Sequence, residues 1–516
     1  MTLALTVLVA APPAAAGEFQ VVARGGDRSP DDSGDLSSFG NAVIQRRGEA
    51  VFAASVTENG FVQSSDLFRA GPQPGQLSLL AKQGAPAPDA NGNFGSFNGE
   101  IPYVNNAGAI AFGVFFENTL AGFVDLTAIL TRRAGGPLQI AVRSNQLTPG
   151  GDRFGVPVSP FAFNDAGQVG FTSLTRFDEV LGIWRVDTPS GAVVRIVGQG
   201  DPTPAGDGIL FGGASGPGIN VMNEAGEVAW YDIIDDGDDF LGTILRGTRF
   251  DRLVEIAREG DATPTGNGIY EAFSAQFFPQ IEINDRGDVA FSARLVSTQG
   301  GLADDFAIFR GNGSRTVEIA RKGETAPDGN GRFLDPGLAG HLILNSRREV
   351  LFASSITGAT NGSSSGLFLG GVGGRRVVMR LNAPAPGGGT FAALPSIYAL
   401  NNAGQVVFRA VVDVGQFSSI AGLFLYEAGT LSAIVREGDV IPGLGTVTGL
   451  VTTTGLQGES RAERSLLNDL GQVTFRVGTN GGPGIVVWTP DSLGFVDGFE
   501  WGGISAGSNG RRGVQA

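Results

Sequence analysis

A short phrase recurs eight times along the chain and limits the folds open to it. Written N-x-x-G-x-x-x-F, it has a full copy at Asn105, and its other copies begin at positions 45, 164, 223, 284, 345, 401 and 468. Successive copies lie 56 to 67 residues apart. A sustained period of this size is typical of propellers, solenoids and arrays. By length alone, 516 residues would suggest about three domains, but the repeat predicts one body.

A second phrase recurs with the same period as the first. "AREGDATP" begins at position 257, and its seven counterparts begin at 23, 81, 142, 197, 320, 379 and 435. Between the phrases, short runs of alternating apolar residues are typical of strands, and no long stretch has a helical period. Eight units of about four short strands predict an all-β fold. We expect a single eight-bladed β-propeller with about four antiparallel strands per blade.

The two ends of the chain complement each other. The last unit reaches its third strand at 484–490 and lacks the strand that leads into the second phrase, whereas the chain opens with that strand at 18–27. The N-terminal strand is therefore predicted to close the last blade, since closure removes the exposed edges of an open array. We expect the propeller to occupy 17–490 and a flexible tail to occupy 491–516.

The first sixteen residues read as a secretory signal peptide. An apolar run from Leu3 to Ala11 is followed by small residues, and Ala14 and Ala16 form an A-x-A cleavage pattern. This segment predicts a secreted or periplasmic bacterial protein. No later stretch approaches the roughly 20 apolar residues of a membrane-spanning helix.

Composition excludes several kinds of chemistry. The chain has no cysteine, which excludes disulfides and thiol nucleophiles, and it has a single histidine, His341. The formal net charge of −15 is unsuited to nucleic acid, which needs a basic footprint. His341 either faces the central channel as a titrating group or is a satisfied structural histidine, and the second interpretation is favoured.

The first phrase has the chemistry of a tight turn between two strands. Asparagine at its first position can bond the backbone of its own turn, and glycine at its fourth position accepts a positive φ. The predicted structural turn residues are Asn105, Gly108, Asn164, Gly167, Asn223, Gly226, Asn284, Gly287, Asn345, Asn401, Gly404, Asn468 and Gly471.

The second phrase repeats an arginine. These residues are Arg24, Arg143, Arg258, Arg321, Arg380 and Arg436. They either ring the channel and bind an anion or form blade-to-blade ion pairs. We favour the ion pairs, with partners such as Asp27, Asp261, Glu324 and Asp439.

Two groups of oxygen-bearing residues are weak calcium candidates. Asp89, Asn91 and Asn93 have the alternate spacing of a calcium loop but lack its distal acid, so turn formation is favoured. The second group is the acidic loop that holds Asp235, Asp236, Asp238 and Asp239. Together with Asp304 and Asp305, this loop offers paired carboxylates for glycan cleavage, against the simpler interpretation of a solvated loop.

The repeat resembles that of a family of exported bacterial proteins with tandem N-x-x-G-x-x-A-F motifs. Residues 105–112 and 284–291 match the motif in full. Departures include Gln45 for Asn, Arg348 for Gly and Trp230 for Phe. The resemblance covers about 18–490 and implies secretion and a repeat fold, but no activity.

These observations favour a non-catalytic exported propeller that serves as a binding or scaffold module for a protein or a glycan. We expect no catalytic residues, no resident cofactor and a monomer. Two alternatives stay open. One is a calcium-assisted hydrolase or lyase that acts on glycans through the acidic loops, and the other is a purely structural surface or matrix protein.

Overall fold

A computed structural model describes residues 15–45, 48–71, 75–97, 102–156, 159–177, 180–188, 190–213, 220–273, 280–338, 340–395, 397–450 and 466–491. Across these ranges the chain forms eight antiparallel sheets, and their only helical elements are two single 3-10 turns, Gly122–Val124 and Gly301–Ala303. None of the residues described belongs to a helix with the length and hydropathy that crossing a bilayer requires.

The strands, in chain order, are β1 (Gly17–Arg24), β2 (Asp35–Ile44), β3 (Ala50–Glu58), β4 (Phe61–Ala70), β5 (Leu77–Ala81), β6 (Asn93–Phe94), β7 (Tyr103–Val104), β8 (Ile110–Glu117), β9 (Thr127–Arg132), β10 (Leu138–Arg143), β11 (Ser159–Phe163), β12 (Gln168–Leu174), β13 (Leu181–Asp187), β14 (Ala192–Gly198), β15 (Ile209–Leu210), β16 (Val221–Met222), β17 (Val228–Asp235), β18 (Phe240–Gly247), β19 (Leu253–Arg258), β20 (Ile269–Ala272), β21 (Ile281–Ile283), β22 (Val289–Val296), β23 (Phe306–Gly311), β24 (Thr316–Arg321), β25 (Arg332–Phe333), β26 (Ile343–Leu344), β27 (Val350–Thr357), β28 (Ser365–Gly371), β29 (Gly374–Arg380), β30 (Thr390–Phe391), β31 (Ile397–Leu400), β32 (Val406–Gly415), β33 (Ser418–Glu427), β34 (Thr430–Arg436), β35 (Val440–Ile441), β36 (Gly445–Leu450), β37 (Val473–Thr479) and β38 (Gly482–Pro490).

The sheets are the eight blades of a β-propeller, as the repeat predicts. Blades 1 to 7 consist of β2–β5, β6–β10, β11–β14, β15–β19, β20–β24, β25–β29 and β30–β34, and blade 8 contains β35–β38 together with β1. Each first-phrase turn joins the inner strand to the next strand of its blade, and we call the side where these turns lie the ring face. We call the opposite side the tip face. It holds the hairpins between the second and third main strands and the loops of the second phrase.

Each hydrophobic cluster lies between two neighbouring blades. One cluster joins Leu351 and Leu367 of blade 6 to Phe408 and Phe424 of blade 7, and the other junctions are filled in the same way. The phenylalanine of the first phrase, or Trp230 in its place in blade 4, supplies the centre of each junction. Phe408, for example, is fully buried and stacks on Phe424 at 5.6 Å between ring centroids. A blade therefore buries its apolar faces only when both neighbours are present.

The N-terminal strand completes the last blade, as the sequence predicts. β1 pairs antiparallel with β38, from Gly17 opposite Pro490 to Arg24 opposite Gly484. Residues from the two ends of the chain thus share one sheet, and Ala23 of β1 is buried in the cluster between blades 8 and 1. This pairing closes the ring without a covalent bond.

Each first-phrase asparagine makes bonds in two directions. Within its turn, the Asn284 Oδ1 accepts the backbone N–H of Asp288 at 2.9 Å, and Gly287 adopts a φ of +73°. The Nδ2 of Asn284 then donates to the carbonyl of Asn345 in the next blade at 3.1 Å.

The bond between blades recurs around the ring. Equivalent amide-to-carbonyl bonds of 3.0 to 3.3 Å start from Asn105, Asn164, Asn223, Asn345, Asn401 and Asn468. The bond from Asn468 ends on Gln45 of blade 1, so the ladder of bonds passes across the junction of the two chain ends.

Removing the closing strand should open the ring. We expect deletion of residues 1–27 to lower the melting temperature by roughly 5 °C or more, because β38 becomes an exposed edge and the junction with blade 1 loses apolar contacts. A synthetic peptide of residues 17–27, added in trans, should restore part of the loss through strand addition, whereas a scrambled peptide should not. Unchanged melting of the truncated chain would show that β1 is dispensable.

The Asn284→Asp substitution separates the two roles of the ring asparagine. Aspartate keeps the oxygen that accepts the turn N–H but lacks the amide donor to the next blade. We expect a loss of about 1–3 kcal/mol in the free energy of unfolding, because the carbonyl of Asn345 then stays buried without its donor. Urea unfolding at pH 7 measures it, with Asn284→Ala, which loses both roles, as the reference. If the aspartate variant is as stable as wild type, the bond between blades contributes nothing.

Candidate functional site

The residue after each ring asparagine links the blades a second time. The Asp165 carboxylate accepts the backbone N–H of Asn106 at 2.6 Å, and the Glu224 carboxylate accepts the backbone N–H of Asp165 at 2.7 Å. Side chains at the same position in later blades, Asp285, Asn402 and Asp469, accept N–H groups in the same manner. Four carboxylates thus surround the central opening on the ring face.

Glu224 is the electrostatic outlier of this group. Desolvation within the ring raises the pKa of its carboxyl to about 7, and the negative charges of Asp165, Asp285 and Asp469 act in the same direction. Asp469 belongs to blade 8 and Glu224 to blade 4, so the negative charges that act on Glu224 come from several blades. The ring face is therefore acidic and closely hydrogen-bonded.

The second-phrase arginines do reach from blade to blade, but not to the predicted partners. The carboxylates of Asp439 and Glu324 accept the backbone N–H groups of Arg436 and Arg321, as Asp27 does for Arg24. These acids lie three residues after the arginine in sequence, where they cap the turn and cannot meet the outgoing guanidinium. The guanidinium groups of Arg143, Arg258, Arg380 and Arg436 extend instead into the loop that precedes their own blade. That of Arg321 stays within its own blade, where it is bonded to Glu318 and to the carbonyl of Asp304.

Arg143 makes the fullest set of these contacts. Its guanidinium forms ion pairs with Asp125 and Asp89, and the distance to Asp89 is 3.0 Å. It also donates to the carbonyl of Asn91 at 2.7 Å. A surface cavity of about 340 Å³ lies against this group. Arg258 is paired with Asp207, and Arg380 lies 3.6 Å from Asp328, in the equivalent loops of other blades.

The first calcium candidates have structural partners. Asp89 is paired with Arg143, and the Oδ1 of Asn91 accepts the backbone N–H of Leu120 while its amide donates to Asp125. Asn93 lies in strand β6 and pairs with Glu117. These oxygens hold the loop of blade 1 to the hairpin of blade 2.

The acidic loop of blade 4 forms a turn on the tip face. Asp236 accepts the backbone N–H groups of Asp238 and Asp239, and Asp235 accepts that of Gly237. In blade 5, the Asp304 carboxylate accepts the hydroxyl of Thr298, and Asp305 is paired with Lys322. Among the residues described, no three carboxylates or imidazoles are grouped as ligands of one metal ion.

His341 starts the inner strand region of blade 6, where its backbone carbonyl accepts the Tyr398 hydroxyl at 2.6 Å. Burial lowers the pKa of its imidazole. A second buried titrating group, Asp232, accepts the Trp230 indole N–H at 2.9 Å and the backbone N–H of Gly213 at 3.0 Å. Burial raises the pKa of Asp232 to about 6.

The tip face carries most of the exposed apolar surface. Twenty large apolar side chains are exposed in the described ranges; sixteen lie in the second hairpins or the second-phrase loops, two (Leu334 and Leu338) lead into blade 6, and two (Phe250 and Val372) lie on the ring face. In six of the eight blades an apolar residue stands at the hairpin tip. These are Phe61, Phe123, Phe177, Phe240, Leu302 and Phe417.

The tip residues recur at a similar place in the repeat. They follow the first position of the first phrase in their own blades by 13 to 18 residues, and the strands between are of similar length. Sequence reasoning missed this set. Its signal is present, because an apolar residue recurs in the middle of a polar turn between two strands, where burial cannot explain it.

Stability should depend on pH through Glu224. The folded state holds this proton up to about pH 7, whereas an unfolded glutamate releases it near its ordinary pKa of 4.5. The folded state therefore gains stability as the pH falls from 7 toward 4.5 and loses it as the pH rises through 7. The raised pKa of Asp232 adds to the same slope.

Urea unfolding at pH 5 and pH 8 tests this prediction. We expect Glu224→Gln to reduce the difference in unfolding free energy between the two pH values, while Asp239→Asn, on the exposed tip loop, leaves it as in wild type. An unchanged difference in the glutamine variant would mean that Glu224 does not titrate in this range.

Comparison with known proteins gives weak structural likenesses. The chain is similar to the β-propeller domain of the Trilobed protease from Pyrococcus furiosus, with 9% identity over 78% of this chain and 99% of that one, at a TM-score of 0.41. It is also similar to prolyl oligopeptidase B from Galerina marginata (11% identity, 78% and 50% coverage, TM-score 0.40), of which it spans about half, and to an oligogalacturonate lyase from Vibrio parahaemolyticus (12%, 93% and 100%, 0.35).

No curated protein sequence matches the chain. A family model does match, over residues 13–113, 98–305 and 221–493, and these overlapping segments cover nearly the whole repeat region. The chain belongs to this family, a family of unknown function designated DUF7453.

Proposed function

We propose that this chain is an exported, non-catalytic binding module that holds a protein partner on its tip face. The observation that carries the proposal is the set of apolar hairpin tips. Phe123 is 89% exposed and Leu302 is 76% exposed, although a soluble chain gains nothing by displaying such side chains to water. Contiguous or clustered exposed apolar surface marks interaction sites.

The chemistry of the tips favours a protein over a glycan. The side chains are phenylalanine and leucine, which bind apolar surfaces and carry no hydrogen-bonding group for sugar hydroxyls. Trp184, Trp230 and Trp488, whose indole groups would suit stacking on sugars, are buried. Aromatic anchors surrounded by polar residues are typical of protein interfaces, and the acidic tip loops supply such a polar surround.

A non-catalytic role is supported by the use of the carboxylates. Asp89 and Asp125 neutralise Arg143, and the acids of the blade 4 loop accept N–H groups of their own turn. Residues engaged in this way hold the fold together. The proposal therefore includes no catalytic residue and no resident cofactor.

Export is supported by the N-terminal pattern and by the start of the fold. β1 begins at Gly17, so cleavage after Ala16 would leave the closing strand whole. A disulfide-free chain closed by strand pairing also needs no oxidising enzyme. We propose a secreted or periplasmic location and a monomeric propeller.

Site-specific photo-crosslinking tests the tip face directly. A benzophenone amino acid replaces Phe417, which is fully exposed on the tip face, or Val372, which is 79% exposed on the ring face. Irradiation of the exported fraction of producing cells should give a discrete heavier band only with the first variant. N-terminal sequencing of the protein recovered from that fraction should give Gly17.

Val372 on the ring face is the control position, because it is also exposed but lies on the opposite side of the propeller. Equal labelling at both positions would mean nonspecific contact, and no labelling at Phe417 would contradict a protein partner. If a polysaccharide digest releases the protein from the same fraction while no protein band forms, the ligand is a glycan.

A further inference from the structure

Of the four buried second-phrase arginines, one has no carboxylate partner in the part of the chain that the structure describes. Arg143, Arg321, Arg380 and Arg436 are all at least nine-tenths buried. Arg143 has two aspartate partners, Arg321 is bonded to Glu318 at 2.6 Å, and Arg380 lies 3.6 Å from Asp328. Among the residues described, the guanidinium of Arg436 donates only to the backbone carbonyl of Pro386, at 2.9 Å.

The loop that faces Arg436 explains the difference. In the loop facing Arg380, Asp328 and Asn330 lie between Ala326 and Gly331, and Ala326 N–H donates to the carbonyl of Gly331. The loop facing Arg436 is closed by the same bond between Ala385 and Gly389, so it is one residue shorter. Gly387 then stands where the aspartate stands, and the residue equivalent to Asn330 is absent.

Within the described ranges, the guanidinium of Arg436 is consequently a buried cation that is paired with no carboxylate. Its Nε is buried without an acceptor in the described ranges, as are the Nε atoms of Arg258 and Arg380. Those two arginines each have an aspartate partner, so the missing carboxylate is what sets Arg436 apart. The nearest interacting carboxylate, that of Asp439, accepts the backbone N–H of Arg436 at 2.7 Å, and desolvation lowers the pKa of the guanidinium. A buried charge without a partner is costly, and an oxyanion is the partner whose geometry fits the guanidinium fork.

We propose that Arg436 and the exposed glycines Gly387–Gly389 form a binding site for a carboxylate anion on the tip face. The ligand carboxylate takes the place of the missing aspartate and accepts from the guanidinium. Gly387 and Gly388 have no side chains and are exposed, so the ligand approaches from solvent. The site stands on the contacts of Arg436 alone and does not depend on the proposed protein partner.

Thermal melting with formate tests the site without a known ligand. The full chain is melted at pH 7.5 in increasing sodium formate, with sodium chloride added to keep the ionic strength constant. We expect the melting temperature of wild type to rise by about 1–2 °C and then to saturate, since a ligand that binds only the folded state stabilises it. Saturation distinguishes binding at a site from a general solvent effect.

Three variants identify the residues responsible. Arg436→Gln should abolish the rise, and Arg380→Gln, which removes an equally buried but neutralised arginine, should retain it. Gly387→Asp supplies the carboxylate within the chain and should also abolish the rise. A Cβ at position 387 would lie against Arg436 Nη1, so the flexible guanidinium must shift to receive the new carboxylate. Aspartate tolerates the φ of +83° at this exposed position better than most residues, so this variant is informative even if Arg436→Gln does not fold.

Two outcomes overturn the proposal. One is a wild-type melting temperature that formate does not raise relative to chloride. The other is a saturating rise of the same size in a folded Arg436→Gln or Gly387→Asp protein, because the formate would then bind elsewhere. Neither outcome bears on the crosslinking result at the hairpin tips, so the two proposals fail separately.

Discussion

The hydrogen bond from each ring asparagine to the turn of the next blade is the contact on which the architecture depends. Each blade buries its apolar faces only against neighbours, so the ring is stable only if every junction forms. The amide of Asn284 ties one turn to the next while its oxygen shapes the turn itself. A single asparagine side chain thus shapes its own turn and also holds two blades together. This double role explains why seven of the eight copies have asparagine at this position and only one has another residue, Gln45.

This coupling divides the two faces of the propeller. On the ring face the turn residues and the carboxylates that follow them form hydrogen bonds between blades, and desolvation there raises the pKa of Glu224. Substitution on this face disturbs the ring. On the tip face the contacts between loops and hairpins differ from blade to blade, as those of Arg143, Arg321 and Arg436 show, so its hairpins and loops vary in length and composition at little cost to the fold. Binding function is best placed where the architecture makes the fewest demands.

The sequence predicts the fold well because its information is periodic. Strand number, blade number and closure by β1 all follow from counting two phrases. The arginine partners were wrong because the sequence shows nearby acids such as Asp439, whereas the actual contacts cross to a loop about 50 residues earlier, as from Arg258 to Asp207. The second bond of the ring asparagine was missed for the same reason: its acceptor is one full period away, and periodicity does not show which groups face each other.

A protein built from equal units contains its own comparison set. Where nearly all copies agree, as at the buried phenylalanine that only Trp230 replaces, the residue serves the ring. Where one copy departs, the surrounding copies show what has been lost. Arg348 at a glycine position adopts a φ of +67° and pairs with Asp288, so its departure is compensated within the structure. The departure at Gly387 is not compensated, because the charge of Arg436 has no carboxylate partner among the residues described. A position where one copy departs from the repeat and leaves a buried charge unpaired is therefore a better guide to a ligand site than a residue that the repeat keeps in every blade.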